Sequence, residues 1–223
     1  MKHLLLPFLF AFPQLVEAQL YTSYFTGDTT DVSPATQGGL CLMGGSSEDD
    51  NAMRWFLQRA SGGDVVVIRA AGADGYNDYF FTDLGVAVNS VETIVMPSAA
   101  AALDPYVVQQ IRRAEALWVA GGDQWDYVSF WKNKPVGEAI RYLIHEKKAV
   151  VGGTSAGMAI MGEAYFDAKN GTIVSAEALA NPFDAKVSLG YADFLDHPHL
   201  KNTITDTHFD DPDRKGRLMT FLA

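Results

Sequence analysis

The sequence predicts an α/β fold, a mostly parallel sheet with helices on both faces. Three observations lead there. Apolar strand-like runs alternate with amphipathic helical runs between residues 39 and 151. The strand-like runs are continuously apolar, the pattern of strands covered on both faces. The length, 223 residues with 48% hydrophobic side chains, suits one such domain.

Residues 1–18 (MKHLLLPFLFAFPQLVEA) read as a secretory signal peptide, with Lys2 as the basic start and a nearly unbroken apolar run over 4–12. Pro7 and Pro13 disfavour a buried helix there, and the run is too short to span a bilayer. Cleavage is expected before Gln19, giving an exported chain with no membrane segment. Residues 19–37 are polar, turn-rich and aperiodic and read as an extended arm. The catalytic domain is placed at 38–223.

Within it, residues 39–43 (GLCLM) predict a buried strand ending in the turn Gly44-Gly45. Asp49 or Asp50 caps a helix through Ala60, with Met53, Phe56, Leu57 and Ala60 on one face. Residues 64–70 and 91–96 are the next strands, separated by a Gly/Asp/Tyr loop. Asp104-Pro105 starts a helix to about Ala114. Residues 116–120 (ALWVA) form a fourth strand, ending at Gly121-Gly122-Asp123-Gln124. A helix over about 137–148 leads to a fifth strand at 149–151 and then Gly152-Gly153-Thr154-Ser155-Ala156-Gly157. In such sheets ligands bind beyond the carboxyl ends of the strands, where both glycine-rich turns fall.

The composition excludes several function classes. Lys+Arg is 17 against Asp+Glu 27, a net charge of −10, which repels a phosphate backbone; no nucleic-acid partner is expected. One cysteine, Cys41, excludes an intrachain disulfide framework and a cysteine-rich metal site. Asn170-Gly171-Thr172 is a glycosylation sequon, usable in a eukaryotic host.

The chemistry centres on Ser155. Gly153-Thr154-Ser155-Ala156-Gly157 fits G-x-S-x-G between an apolar strand and a helix-forming run over 156–164, the setting of a nucleophile elbow. The Ala156 amide then faces the attacked carbonyl, aided by the helix N-terminus. Of the histidines in the mature chain, His145 lies in a charged helical stretch, and His197 and His199 flank Pro198 with no matching third metal ligand. His208 follows the β-favouring run 203–206, which puts it on the same sheet edge as Ser155, so it is the expected base. The orienting acid is sought among Glu163, Asp167, Glu177, Asp184, Asp193 and Asp196. Glu177 is selected because it follows the strand-like run 172–175, with Asp184 and Asp206 as alternatives.

Gly121-Gly122-Asp123-Gln124, the Ser155 turn, and Asp206-Thr207-His208-Phe209 with Arg214, Gly216, Arg217 and Leu218 resemble the signature of cyanophycinases. These group with the aspartyl dipeptidases (dipeptidase E) among serine peptidases. The resemblance runs from about Gly38 to the end of the chain. It implies a class I glutamine amidotransferase-like fold, a Ser–His–Glu/Asp triad, and a second oxyanion amide at Gly122 beside that of Ala156. It further implies substrate contacts from Gln124, Asp206, Arg214 and Arg217. Two departures stand out. Pro212 occupies an expected arginine position, removing a cation from the substrate segment. The chain stops at Phe221-Leu222-Ala223, in mid-helix by the pattern, and is expected to lack its C-terminal end.

The expectation is a secreted, cofactor-independent serine peptidase acting on aspartyl or isoaspartyl bonds, with a β-aspartyl-arginine peptide or a related one as its partner and no metal. Homodimerisation is left open. The rival readings are a catalytically degenerate secreted binding protein and an α/β-hydrolase-type esterase. The latter is disfavoured because no HGGG-type loop precedes the elbow.

Overall fold

Six strands build the main sheet of the computed structural model, which describes residues 19–210 and 213–222. The expected signal peptide at 1–18 and Pro212 lie outside the described residues. In chain order the first elements are β1 (Thr22–Gly27), β2 (Gly39–Met43), α1 (Asp50–Gln58), β3 (Asp64–Arg69) and β4 (Ser90–Val95). Then come α2 (Pro105–Arg113), β5 (Ala116–Val119), α3 (Gln124–Trp131), α4 (Pro135–Tyr142), β6 (Val150–Thr154) and α5 (Ala156–Ala159). The last are β7 (Ala164–Phe166), α6 (Ser175–Ala180), β8 (Leu189–Tyr191), β9 (Ile204–Thr205) and α7 (Lys215–Phe221).

The main sheet runs β1-β4-β3-β5-β6-β2, parallel except for β1. Continuous apolar strands are explained by burial on both faces. Val66, Ile68, Leu117, Val119 and Val151 pack with Val107 and Ile111 of α2 and Ile140 of α4. Their neighbours Val65, Val67, Ala116, Trp118 and Val150 face the opposite side, against Met53, Phe56 and Leu57 of α1. Three helices start on aspartate caps. Asp49 accepts from the N–H groups of Asn51 and Ala52, Asp104 from Tyr106, and Asp123 from Trp125. The predicted α/β class holds.

Several boundaries move. Residues 19–37 are not wholly an arm, because β1 pairs antiparallel with β4 as the sheet edge. Its Tyr24, Phe25 and Thr26 favour a strand, but an edge that is half exposed carries no apolar run to read. α3 went unpredicted because Trp125, Tyr127, Val128, Phe130 and Trp131 ring the helix, so no single face stands out. The helix expected at 137–148 begins at Pro135 and loosens after Tyr142 into a wider turn over Leu143–Lys147. The elbow helix ends at Ala159 rather than 164. Its place is taken by β7, the centre of a small sheet ordered β8-β7-β9.

The segment leading into β9 contains a buried titrating group. His197 is 6% exposed, and its Nδ1 accepts the N–H of His199 at 3.3 Å. Burial first, then the charges of His199 and His145, push its pKa down to about 4 from 6.5. The unfolded chain therefore binds the extra proton between those values, so stability present above pH 6.5 is lost as pH falls toward 4. After allowance for solvent screening the loss is about 2 kcal/mol. Thermal melts across pH 7 to 4 should show the decline, and His197→Asn should flatten it. An equal decline in that variant would assign the effect to other groups.

Candidate active site

The carboxyl ends of three adjacent strands meet at Ser155. It follows β6 with φ 49° and ψ −119°, a backbone conformation that L residues rarely adopt. Its N–H donates to Met43 O at the end of β2 at 3.1 Å, and its carbonyl accepts from Ala159 N at 2.8 Å. The flanking glycines are required by space. A Cβ on Gly157 would lie 2.0 Å from Val119 O, and one on Gly153 2.7 Å from the Gly157 carbonyl carbon. The elbow therefore packs directly on the end of β5, which aims Oγ outward into the cleft.

His208 arrives from β9. Ser155 Oγ and His208 Nε2 are 2.8 Å apart. The histidine's own N–H donates to Gly44 O at 2.9 Å, and its φ is 54°. Its ring lies on Gly45, where a Cβ would come within 2.6 Å of Cε1 and Nε2. The turn after β2 thus fixes the histidine. The Gly44-Gly45 pair at a strand end was the available signal for this role, and it read only as a tight turn.

The two residues expected to supply oxyanion amides lie close to Ser155. Ala156 opens α5, so its N–H has no carbonyl partner within the helix. Since α5 is a single turn, its dipole adds little beyond that amide. Gly122 lines the same cleft, of about 300 Å³, with Gln124, Ser155, His208 and Arg214. Tyr127 supports this turn from below. Its hydroxyl lies 3.0 Å from both Ala120 O and Gly121 O. The ring is fully buried, stacked 4.3 Å from Trp131. A Cβ at position 122 would come within 2.5 Å of that hydroxyl. Sequence reasoning missed Tyr127, which reads as one aromatic among several. Tyr127→Phe keeps the packing but removes the single hydroxyl proton that the two carbonyls share, at about 1 kcal/mol in all. Turnover of the substrate proposed below should then fall about five- to tenfold in kcat with KM nearly unchanged. A KM-only change would separate Tyr127 from the oxyanion turn.

The remaining predicted residues divide. Gln124 and Arg214 line the cleft. Among the described residues, Arg214 Nε is buried with no hydrogen-bond partner. Burial first, and neighbouring Arg217 second, lower its pKa, with Asp206 opposing. Asp206 and Arg217 do not face the cleft. Their side chains are 2% and 0% exposed and form a two-armed pair, with Nε to Oδ2 at 3.0 Å and Nη2 to Oδ1. Arg217 also donates to Ile173 O at 3.2 Å and lies 4.4 Å over the Phe166 ring. Their expected substrate contact is corrected to a strut tying the His208 segment to α7.

Glu177 is not brought to His208. It sits in the first turn of α6, where its carboxylate accepts from Val174 N at 3.4 Å and meets Lys186 Nζ at 3.9 Å. Its side chain is 53% exposed. The reason is local: residue 175 opens a helix rather than closing a strand. Asp184 instead accepts from Lys186 N at 2.9 Å.

Comparison with known proteins adds the family context. Residues 42–223 match the family model described as peptidase family S51. Cyanophycinases of Synechococcus elongatus and of Thermosynechococcus vestitus (strain NIES-2133 / IAM M-273 / BP-1) are each 27% identical over 197 residues. The match covers 83% of this chain and 57% of theirs, so the chain spans under two thirds of their length. The crystal structure of a peptidase from an acI-B1 Actinobacterium shares the fold, with TM-score 0.54 at 14% identity. That likeness covers 83% of this chain and 76% of the other.

Proposed function

The chain belongs to peptidase family S51, and on that premise we propose that it is a serine peptidase cleaving peptides with an aspartyl backbone. The observation that carries this reading is the 2.8 Å contact between Ser155 Oγ and His208 Nε2 on a strained elbow. With the imidazole proton on Nδ1, Nε2 accepts the serine proton as Oγ attacks the carbonyl carbon. The N–H groups of Ala156 and Gly122 receive the oxyanion. The imidazolium then protonates the leaving amine, the acyl-enzyme forms, and water activated by His208 releases the acid. Each step uses this chain's own groups.

The substrate class is argued from Arg214 and Gln124. A partly buried guanidinium with a vacant donor favours a carboxylate, which it holds through charge-assisted hydrogen bonds. Peptides built of aspartyl units carrying β-linked arginine offer such groups. The signal-like segment at 1–18 supports action outside the cytoplasm.

The test pairs a fluorophosphonate label with three substrates: a β-aspartyl-arginine-containing peptide, an aspartate-free peptide and a p-nitrophenyl ester. Labelling at Ser155 with preferential cleavage of the aspartyl peptide is expected. Labelling with ester hydrolysis alone would make the protein an esterase. No labelling would make it a binding protein.

A further inference from the structure

Ser155 and His208 stand 53 residues apart in the chain, and the hydroxyl of Thr205 ties their two elements together. Thr205 ends β9, shortly before His208, and is 3% exposed. Its Oγ1 donates to Ala159 O at 2.6 Å and accepts from Gly162 N at 3.0 Å. Ala159 is the last residue of α5, and its own N–H donates to Ser155 O at 2.8 Å. One side-chain hydrogen bond and one turn of helix therefore lead from the base's strand to the nucleophile.

The contact leaves no spare room. A Cβ on Gly162 would lie 2.5 Å from Thr205 Oγ1 and 2.9 Å from Thr205 N. A hydroxyl has one proton to give and lone pairs to accept with, and here both capacities go to buried backbone groups. The His208 segment has another tie at its far end, His208 N to Gly44 O at 2.9 Å, beside the bond from Ser155 N to Met43 O. A segment held at one point can pivot, and a second point fixes it. The Asp206–Arg217 pair secures the same segment to α7, whereas Thr205 secures it to the serine's own helix.

We propose that Thr205 is a positioning residue for the serine peptidase reaction, its hydroxyl setting the place of His208 relative to Ser155 Oγ. This rests on the reading of Ser155 and His208 as nucleophile and base. Proton transfer from Oγ to Nε2 needs their 2.8 Å contact, and a displacement of about 1 Å there costs roughly a hundredfold in rate. Without the hydroxyl, the Ala159 carbonyl and the Gly162 N–H are buried and unpaired. Relief of those groups shifts α5 against β9, and the serine moves with α5.

The experiment uses the full chain. Thr205→Val removes the hydroxyl and keeps the branched shape. Its kcat should fall about ten- to a hundredfold, with KM within about twofold of the parent. Fluorophosphonate labelling of Ser155 should slow in the same proportion, which frees the result from the choice of substrate. Thr205→Ser keeps both bonds and should hold kcat within about threefold. Val107→Ala, in α2, controls for lost stability: it should lower the melting temperature and leave kcat at the parent value. In crystals of Thr205→Val, Oγ and Nε2 should lie more than about 3.5 Å apart. A parent-like kcat in Thr205→Val, an equal fall in Thr205→Ser, or a contact kept at 2.8 Å in those crystals would overturn the proposal. If Thr205→Val does not fold, Thr205→Cys takes its place: a thiol is a weaker donor and acceptor, and a kcat equal to the parent's overturns the proposal. A parent chain that is neither labelled nor active would count against the peptidase reading, and the crystal distance would still decide the role of Thr205.

Discussion

Ser155→Ala is expected to lower kcat by at least about 10⁴-fold on a β-aspartyl-arginine peptide while leaving the fold in place. The loss is this large because the covalent step has no other donor: Oγ is the atom 2.8 Å from His208 Nε2. The residual rate would come from the Ala156 and Gly122 amides and from substrate binding. Folding survives because alanine keeps the Cβ and the contacts of the elbow, including Ser155 N to Met43 O. Ser155→Gly separates chemistry from strain. It loses the same activity but relieves a backbone at φ 49° and ψ −119°, worth of order 1–3 kcal/mol. The glycine variant should therefore melt several degrees above the alanine variant. Turnover in Ser155→Ala above about one hundredth of the parent would remove Ser155 as nucleophile.

The elbow was legible because its signal is local. A strand, a small-residue turn and the start of a helix sit within ten residues, and the glycines at 153 and 157 are forced by contacts that any such turn makes. His208 was legible for a similar reason, as a residue just past a short β-favouring run. What surrounds them was not. α6 is six residues long, too short for a period to emerge, so the stretch before Glu177 read as strand and the carboxylate was aimed inward. The Tyr127 support depends on α3 folding back beneath the turn it follows, a tertiary relation with no sequence period. Asp206 and Arg217 looked like accessible recognition groups because charged side chains usually are. Only the packing of α7 against α6, Phe166 of β7 and the Ile173 carbonyl shows that the two are sealed against each other.

That sealing gives the second large effect. Arg217→Met should destabilise the protein by about 3–5 kcal/mol, the cost of stranding a buried carboxylate. Asp206 would keep its bond to Thr207 N at 2.8 Å but lose both guanidinium arms. The Ile173 carbonyl would lose its donor as well. Asp206→Asn strands the opposite charge and should cost a comparable amount. The pair is the decisive measurement. In Asp206→Asn/Arg217→Met the stranded charge is gone, and methionine can occupy the space over Phe166 that the guanidinium fills at 4.4 Å. The double variant should therefore recover at least about 1–3 kcal/mol relative to the summed single effects. Arg113, whose side chain is 48% exposed in its pair with Asp31, is the control, and Arg113→Met should stay within about 0.5 kcal/mol. Activity would follow stability through position. Asp206 lies two residues before His208, so the single variants should lower kcat by loosening the histidine, with little change in KM. The opposite outcome, in which Arg217→Met melts like the control and raises KM for carboxylate-bearing peptides, would return Arg217 to the substrate. It would also require the strut between β9 and α7 to open when the peptide binds.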